Sequence, residues 1–167
     1  LSIRTKTQKH ENTIHATHTS IQLLRRLLLH FVPHLRFGQD TFSIAAADST
    51  TREVGSAGAS CVDLFTTSIA DNSFLGDLLP NKGAINTQAS YMVANQSNAR
   101  NRMNAGDTPA QIIQWLRTND AGFNPNIRQY GIVGFVGNQV NAAGFTGSNC
   151  LDYKNHITGS INGIYYS

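Results

Sequence analysis

Arg128-Gln129-Tyr130-Gly131-Ile132-Val133-Gly134-Phe135-Val136 is apolar on both of its alternating faces. A strand reads this way when both faces are covered, so it belongs inside a layered domain and not on a one-sided sheet. Gly137-Asn138 follows as a two-residue hairpin signal, and Gln139 to Phe145 returns as the partner strand.

Upstream of this hairpin, beyond a loop at Gly122 to Asn126, the pattern is helical. Thr108-Pro109-Ala110-Gln111 is a capping box, with Pro109 at the first helical position where its missing N–H costs nothing. The helix it opens runs to about Thr118 and buries Ile112, Ile113, Trp115 and Leu116, spaced by three and four. A preceding helix spans Tyr91 to Ala105 and is ended by Gly106. Earlier still, strands are expected at Phe42 to Asp48, Glu53 to Ser60 and Gly83 to Ser90, the first two joined by the polar Ser49 to Arg52. The first two strands carry small side chains, among them Ala45, Ala47, Ala57 and Gly58, so another layer can approach closely. The stretch containing Asp71-Asn72-Ser73 and Leu79-Pro80-Asn81 reads as mixed loop and strand. Ile161 to Ser167 reads as one last strand. Strands, a helical pair, then strands again indicate an α+β domain with a mostly antiparallel sheet.

The chain has 167 residues, 40% hydrophobic and 14% charged, which suits one globular domain and excludes a long disordered protein. No run of 18 apolar residues is present, so no transmembrane helix is expected. The net charge of +3 is unevenly placed. Before Asp40 stand six basic residues against one acid, Glu11; from Asp40 onward seven basic residues face nine acidic ones. Five of the six histidines also precede Asp40. The body is therefore mildly acidic, and nucleic-acid binding is excluded as its function. Residues 1–39 read as a leader, disordered or a degraded signal peptide, and residues 40–167 as the domain. Within the leader, Leu23 to Pro33 has the basic-then-apolar order of a secretory signal, which suggests a secreted or periplasmic protein. An upstream stretch of no function is the alternative reading of that segment.

The search for chemistry by motif returns mostly negatives. Gly131, Gly134 and Gly137 have the wrong spacing for a dinucleotide fingerprint. Gly58-Ala59-Ser60-Cys61-Val62 approaches a nucleophile elbow, but Val62 replaces its final Gly. Cys61, Cys150 and His156 lack tight ligand spacing, so no metal and no cofactor are expected. The two cysteines alone fit either one disulfide or two separate thiols.

Thr41-Phe42-Ser43-Ile44, then Asp48 with Glu53 to Ser60, Ala84-Ile85-Asn86-Thr87-Gln88-Ala89, Arg128-Gln129, and Thr146-Gly147 with Cys150 and His156 occur as ordered blocks. In this order they resemble the bacterial domain-of-unknown-function 1028 family, over essentially Thr41 to Ser167. The resemblance implies the N-terminal-nucleophile hydrolase fold, a four-layer αββα sandwich. The family continues past Ser167, so the resemblance also implies a sandwich truncated at its C-terminus. An exposed sheet edge would then favour association into a homo-oligomer. Arg52 stands where the family usually has Gly in the hairpin turn, and Tyr153 where Trp is common.

What the resemblance implies about function is an exported amide or peptide hydrolase acting on a small amide or peptide substrate. In that chemistry a Thr, Ser or Cys is exposed as residue one, and its own α-amino group acts as base. Thr41 is the candidate nucleophile and Ser43 a weaker one; Asp48, Ser60, Thr87, Gln88 and His156 are the candidates for positioning substrate or an oxyanion. Cys61 and Cys150, present together in exported-looking members, are expected to bridge. The alternative is a non-catalytic exported binding or scaffold domain on the same fold.

Overall fold

The computed structural model describes residues 41–61 and 75–167. β1 (Thr41–Asp48) and β2 (Val54–Ser60) form an antiparallel hairpin. β3 (Gly76–Leu79) pairs with β4 (Gly83–Ala89), so the stretch read as mixed contains a short strand and a turn at Pro80-Asn81. Asp71-Asn72-Ser73 lie outside the described residues. Two helices follow, α1 (Val93–Asn104) and α2 (Pro109–Thr118). β5 (Arg128–Val136) and β6 (Gln139–Thr146) make the hairpin expected around Gly137-Asn138.

The last segment differs from its reading as a single strand. It is a hairpin of β7 (Gly159–Ile161) and β8 (Ile164–Tyr166), turned at Asn162-Gly163. Both turn residues take positive φ, 50° and 83°, which is the backbone that an Asn-Gly pair permits between strands.

Two sheets result, ordered β2-β1-β8-β7 and β3-β4-β5-β6, with every pairing antiparallel. Both helices pack on the β5 sheet, where Ile85, Met103, Ile112, Leu116, Tyr130 and Ile132 form one core. The β1 sheet covers the opposite face through Ala45, Ala47, Ala84, Val133 and Val140. This explains the two apolar faces of β5: Ile132 goes to the helices and Val133 to the other sheet. The outer face of the β1 sheet carries exposed Phe42, Ile44 and Ile164. Among the described residues the layers are thus helix, sheet, sheet, three of the four expected.

Local details follow sequence chemistry. The capping box forms, with Gln111 N donating to Thr108 Oγ1 at 3.2 Å and Thr108 N to Gln111 Oε1 at 2.9 Å. Arg52 takes a φ of 62°, a backbone that favours glycine. Its side chain offsets that cost: the guanidinium lies 4.2 Å from the Phe135 ring centroid and donates to the carbonyls of Asn81 and Gly137. The expected Cys61–Cys150 bridge is absent. Cys61 follows β2 and is exposed, whereas Cys150 is buried beyond β6 and its thiol donates to the Arg128 carbonyl at 3.4 Å. The two thus follow strands of different sheets.

One buried ion pair ties the helices to the start of β5. Arg128 Nε and Nη2 donate to the two carboxylate oxygens of Asp120 at 2.9 and 3.1 Å. Asp120 also accepts from Asn95 Nδ2, Gly122 N and Asn124 N, and Arg128 reaches the Ser90 carbonyl. The guanidinium above all, then these further donors, hold the Asp120 carboxyl far below the usual carboxylate range against the effect of burial.

Replacing Asp120 by Asn leaves a buried guanidinium short of its counter-charge. We expect Asp120→Asn to lose about 3–5 kcal/mol in urea unfolding at pH 7. The folded pKa lies below the unfolded value near 3.9, so the contribution is complete above about pH 4 and is lost as pH falls further. The difference between wild type and variant should therefore shrink in acid; a constant difference from pH 7 to pH 3 would contradict the assignment.

Candidate functional site

Alternation fixes which side chains meet between the sheets. From β1, Thr41, Ser43, Ala45 and Ala47 face the β5 sheet. From that sheet, Ala84, Asn86 and Gln88 of β4, Gln129, Gly131 and Val133 of β5, and Ala142, Gly144 and Thr146 of β6 face back, in cross-strand register. Along this shared interior the residues change from apolar at one end to polar at the other. Midway, Ser56 Oγ donates to Asn86 Oδ1 at 2.7 Å.

At the polar end the side chains form one continuous run of hydrogen bonds. Ser43 Oγ donates to Gln88 Oε1 at 2.7 Å. Gln88 Nε2 donates to the Thr41 carbonyl at 3.3 Å and to Gln129 Oε1 at 2.8 Å. Gln129 Nε2 donates to the Asn155 carbonyl and to Thr146 Oγ1, the latter at 3.1 Å. Thr146 Oγ1 lies 3.0 Å from His156 Nδ1. Beside this run, the Thr41 and Ser60 hydroxyls are 2.8 Å apart.

The run has a direction. Backbone carbonyls can only accept, so the Thr41 and Asn155 carbonyls fix which end of each glutamine amide is nitrogen. Thr146 then accepts from Gln129, and the only acceptor the described residues offer its own hydrogen is His156 Nδ1. Where that hydrogen goes to Nδ1, a neutral His156 carries its proton on Nε2. Ser43 donates to an amide oxygen, which is no base, so its hydroxyl is not activated as a nucleophile.

Two cavities flank the Gln129 side chain. The larger, of about 430 Å³, is lined in part by Ser43, Gln88 and His156. The smaller, of about 280 Å³, is lined in part by Thr41, Cys150 and Lys154. Burial pushes the Cys150 thiol up, which keeps it protonated. The His156 ring packs on Gly144, where any Cβ would overlap it.

Of the residues singled out in the sequence, Thr41, Ser43, Ser60, Gln88 and His156 come together. Asp48 does not: it lies at the far end of β1 and accepts from Thr50 N and Thr51 N at 2.7 and 3.1 Å. Those two donors lower its pKa and mark it as a turn residue. Thr87 is buried on the opposite face of β4, across from Tyr130 and toward the helices. Sequence reasoning assigned no role to Gln129 and Thr146. The signal available was a glutamine on an otherwise apolar, doubly covered strand, where an amide needs a partner.

The model of a family of unknown function, DUF1028, matches residues 41–163. The crystal structure of protein SPO2555 from Silicibacter pomeroyi, of the same family model, is 25% identical with a TM-score of 0.57. The match covers 75% of this chain and 52% of that one, so the chain spans about half of that protein's length. No curated protein matches. Every residue of the hydrogen-bonded run lies inside the matched region.

Gln129 is the centre of the run, and its loss should be felt at both ends. We expect Gln129→Leu to cost about 1–3 kcal/mol, because it strands a part-buried Gln88 hydrogen and removes the donor to Thr146 Oγ1. Long-range ¹⁵N NMR at a pH where His156 is neutral should show the Nε2–H tautomer in wild type and a mixture of tautomers in the variant. A mixture already present in wild type would refute the direction assigned to the run.

Proposed function

We propose that this chain, which belongs to the family of unknown function DUF1028, is part of an amide or peptide hydrolase of the N-terminal-nucleophile type, with Thr41 as nucleophile. The observation that carries the reading is the setting of Thr41. It is the first residue of β1, its hydroxyl is paired with that of Ser60, its carbonyl is held by Gln88, and it borders a cavity. When Thr41 is residue one, its α-amino group, with a pKa near 8, can take the Oγ1 proton. Oγ1 then attacks the amide carbonyl carbon, the C–N bond breaks, and the departing amine takes the proton from the ammonium. Water, activated by the same amine, hydrolyses the resulting ester. Ser60 steadies the hydroxyl, Gln88 the main chain, and His156 ends the hydrogen-bonded run at the larger cavity without a nucleophile of its own. The four-layer αββα sandwich belongs to this reading.

A non-catalytic binding domain is favoured by a different observation. Both amide hydrogens of Gln88 and both of Gln129 are already committed, so neither side chain has a donor left for an oxyanion.

The two readings separate by experiment. N-terminal sequencing of the expressed protein should find Thr41 as residue one. On a panel of small amides, Thr41→Ala should lower hydrolysis by about 10³-fold or more. His156→Ala should lose less than the ~10² typical of a general acid–base. The reverse order of effects would overturn the assignment of Thr41, and a correctly processed domain inactive on the whole panel would favour the binding reading.

A further inference from the structure

The loop that leaves β6 is pinned where it starts. Gly147 N donates to the Arg128 carbonyl at 2.9 Å, Asn149 N to the Asn126 carbonyl at 2.8 Å and Cys150 N to the Gly147 carbonyl at 3.1 Å. Gly147 lies so close to Asn126 that any Cβ would overlap its backbone. Further along, Tyr153 takes a φ of 64°, a left-handed backbone that side chains rarely adopt. On either side of this bend stand Asp152 and Lys154, and both line the cavity of about 280 Å³ that Thr41 borders.

These two opposite charges do not neutralise each other. The ion pairs among the described residues join Arg100 to Asp77, Arg102 to Asp107 and Arg128 to Asp120, and neither Asp152 nor Lys154 takes part. Lys154 Nζ donates instead to the Cys150 carbonyl at 2.7 Å, which holds the ammonium in place and leaves two of its three hydrogens. The other polar walls are spoken for. The Thr41 hydroxyl is paired with that of Ser60, the Ser90 carbonyl accepts from Arg128, and the Cys150 thiol donates to the Arg128 carbonyl. Gln129 spends its amide on Gln88, Thr146 and Asn155, and Asn149 Oδ1 accepts from Ser148. Ala89, Ile127 and Leu151 supply apolar surface, and Tyr153 a ring and a hydroxyl.

An anion alone would meet the Asp152 carboxylate here, and a cation alone the Lys154 ammonium. A ligand that carries both charges satisfies both. We propose that this cavity binds a small zwitterion, an amino acid or a dipeptide, with its ammonium on Asp152 and its carboxylate on Lys154. The volume lies just below that of drug-sized ligand sites, which suits a molecule of that size. As a statement about substrate class this rests on the hydrolase reading, because Thr41 lines the same cavity; as a statement about binding it does not.

The test is ¹H–¹⁵N NMR titration of the full chain and of its Thr41→Ala, Asp152→Asn and Lys154→Gln variants. The probes are L-leucine, L-alanyl-L-leucine, the N-acetyl form of the dipeptide, which lacks the ammonium, and its C-terminal amide, which lacks the carboxylate. At least one of the two zwitterions should shift the resonances of Ala89, Cys150 and Leu151 saturably in wild type and in Thr41→Ala, and the tighter of the two identifies the ligand. Each blocked dipeptide should bind wild type about three- to tenfold more weakly than that zwitterion. Lys154→Gln should weaken the zwitterion by a similar factor and leave the amide unchanged; Asp152→Asn should weaken the zwitterion and leave the N-acetyl form unchanged. Equal affinity for blocked and zwitterionic probes, variants that weaken every probe alike, shifts confined to other residues, or no saturable shift at millimolar probe would each overturn the proposal. Zwitterion binding without hydrolysis by wild type would leave this site standing and remove the hydrolase, whereas hydrolysis of small amides without zwitterion binding would do the reverse.

Discussion

Everything in this fold depends on β5 having no face turned to water. Its alternate residues must satisfy a helical layer on one side and a second sheet on the other. On the helix side this is met by Tyr130 and Ile132, and on the sheet side by Val133 and the small Gly131. A polar side chain on such a strand cannot rely on solvent, so it must be matched from a neighbouring layer. Gln129 is matched by Gln88 and Thr146, and Gln88 in turn by Ser43. The candidate site is therefore a by-product of the same demand that makes the core.

Two adjacent residues on β5 meet that demand in opposite ways. Arg128 goes to the helix side and is neutralised by Asp120, in a pair that is dry, bidentate and structural. Gln129 goes to the sheet side and joins a run with no ionised member before His156. The charged anchor holds the strand start in place, and the neutral run leaves its terminal groups available at a cavity. Cys150 is buried, and its thiol donates to the Arg128 carbonyl.

The elements that local chemistry dictates were legible in the sequence. The Thr108 capping box, the doubly apolar β5 and the Gly137-Asn138 turn all follow from short-range preferences, and all are present. Asn162-Gly163 carries the same signal as Gly137-Asn138 but is flanked by strands of only three residues, too short to show alternation. For the site, Thr41, Ser43, Ser60, Gln88 and His156 were reachable through resemblance, whereas Asp48 and Thr87 travelled with their motifs to places set by strand length and parity. A shift of one position along β4 carries a side chain from the sheet interior to the helices. Which parity faces which layer is decided by pairing between distant segments, and no local pattern contains it.

Arg52 gives the molecule a mechanical asymmetry. At the apolar end its guanidinium stacks on Phe135 and reaches Asn81 and Gly137, fastening turns that belong to both sheets. At the opposite end the sheets are joined by hydrogen bonds among the uncharged side chains of Ser43, Gln88 and Gln129. The two sheets are thus fastened by a cation on an aromatic ring at one end and by uncharged donors and acceptors at the other, with the small-residue core of Ala45, Ala47, Ala84 and Val133 between them.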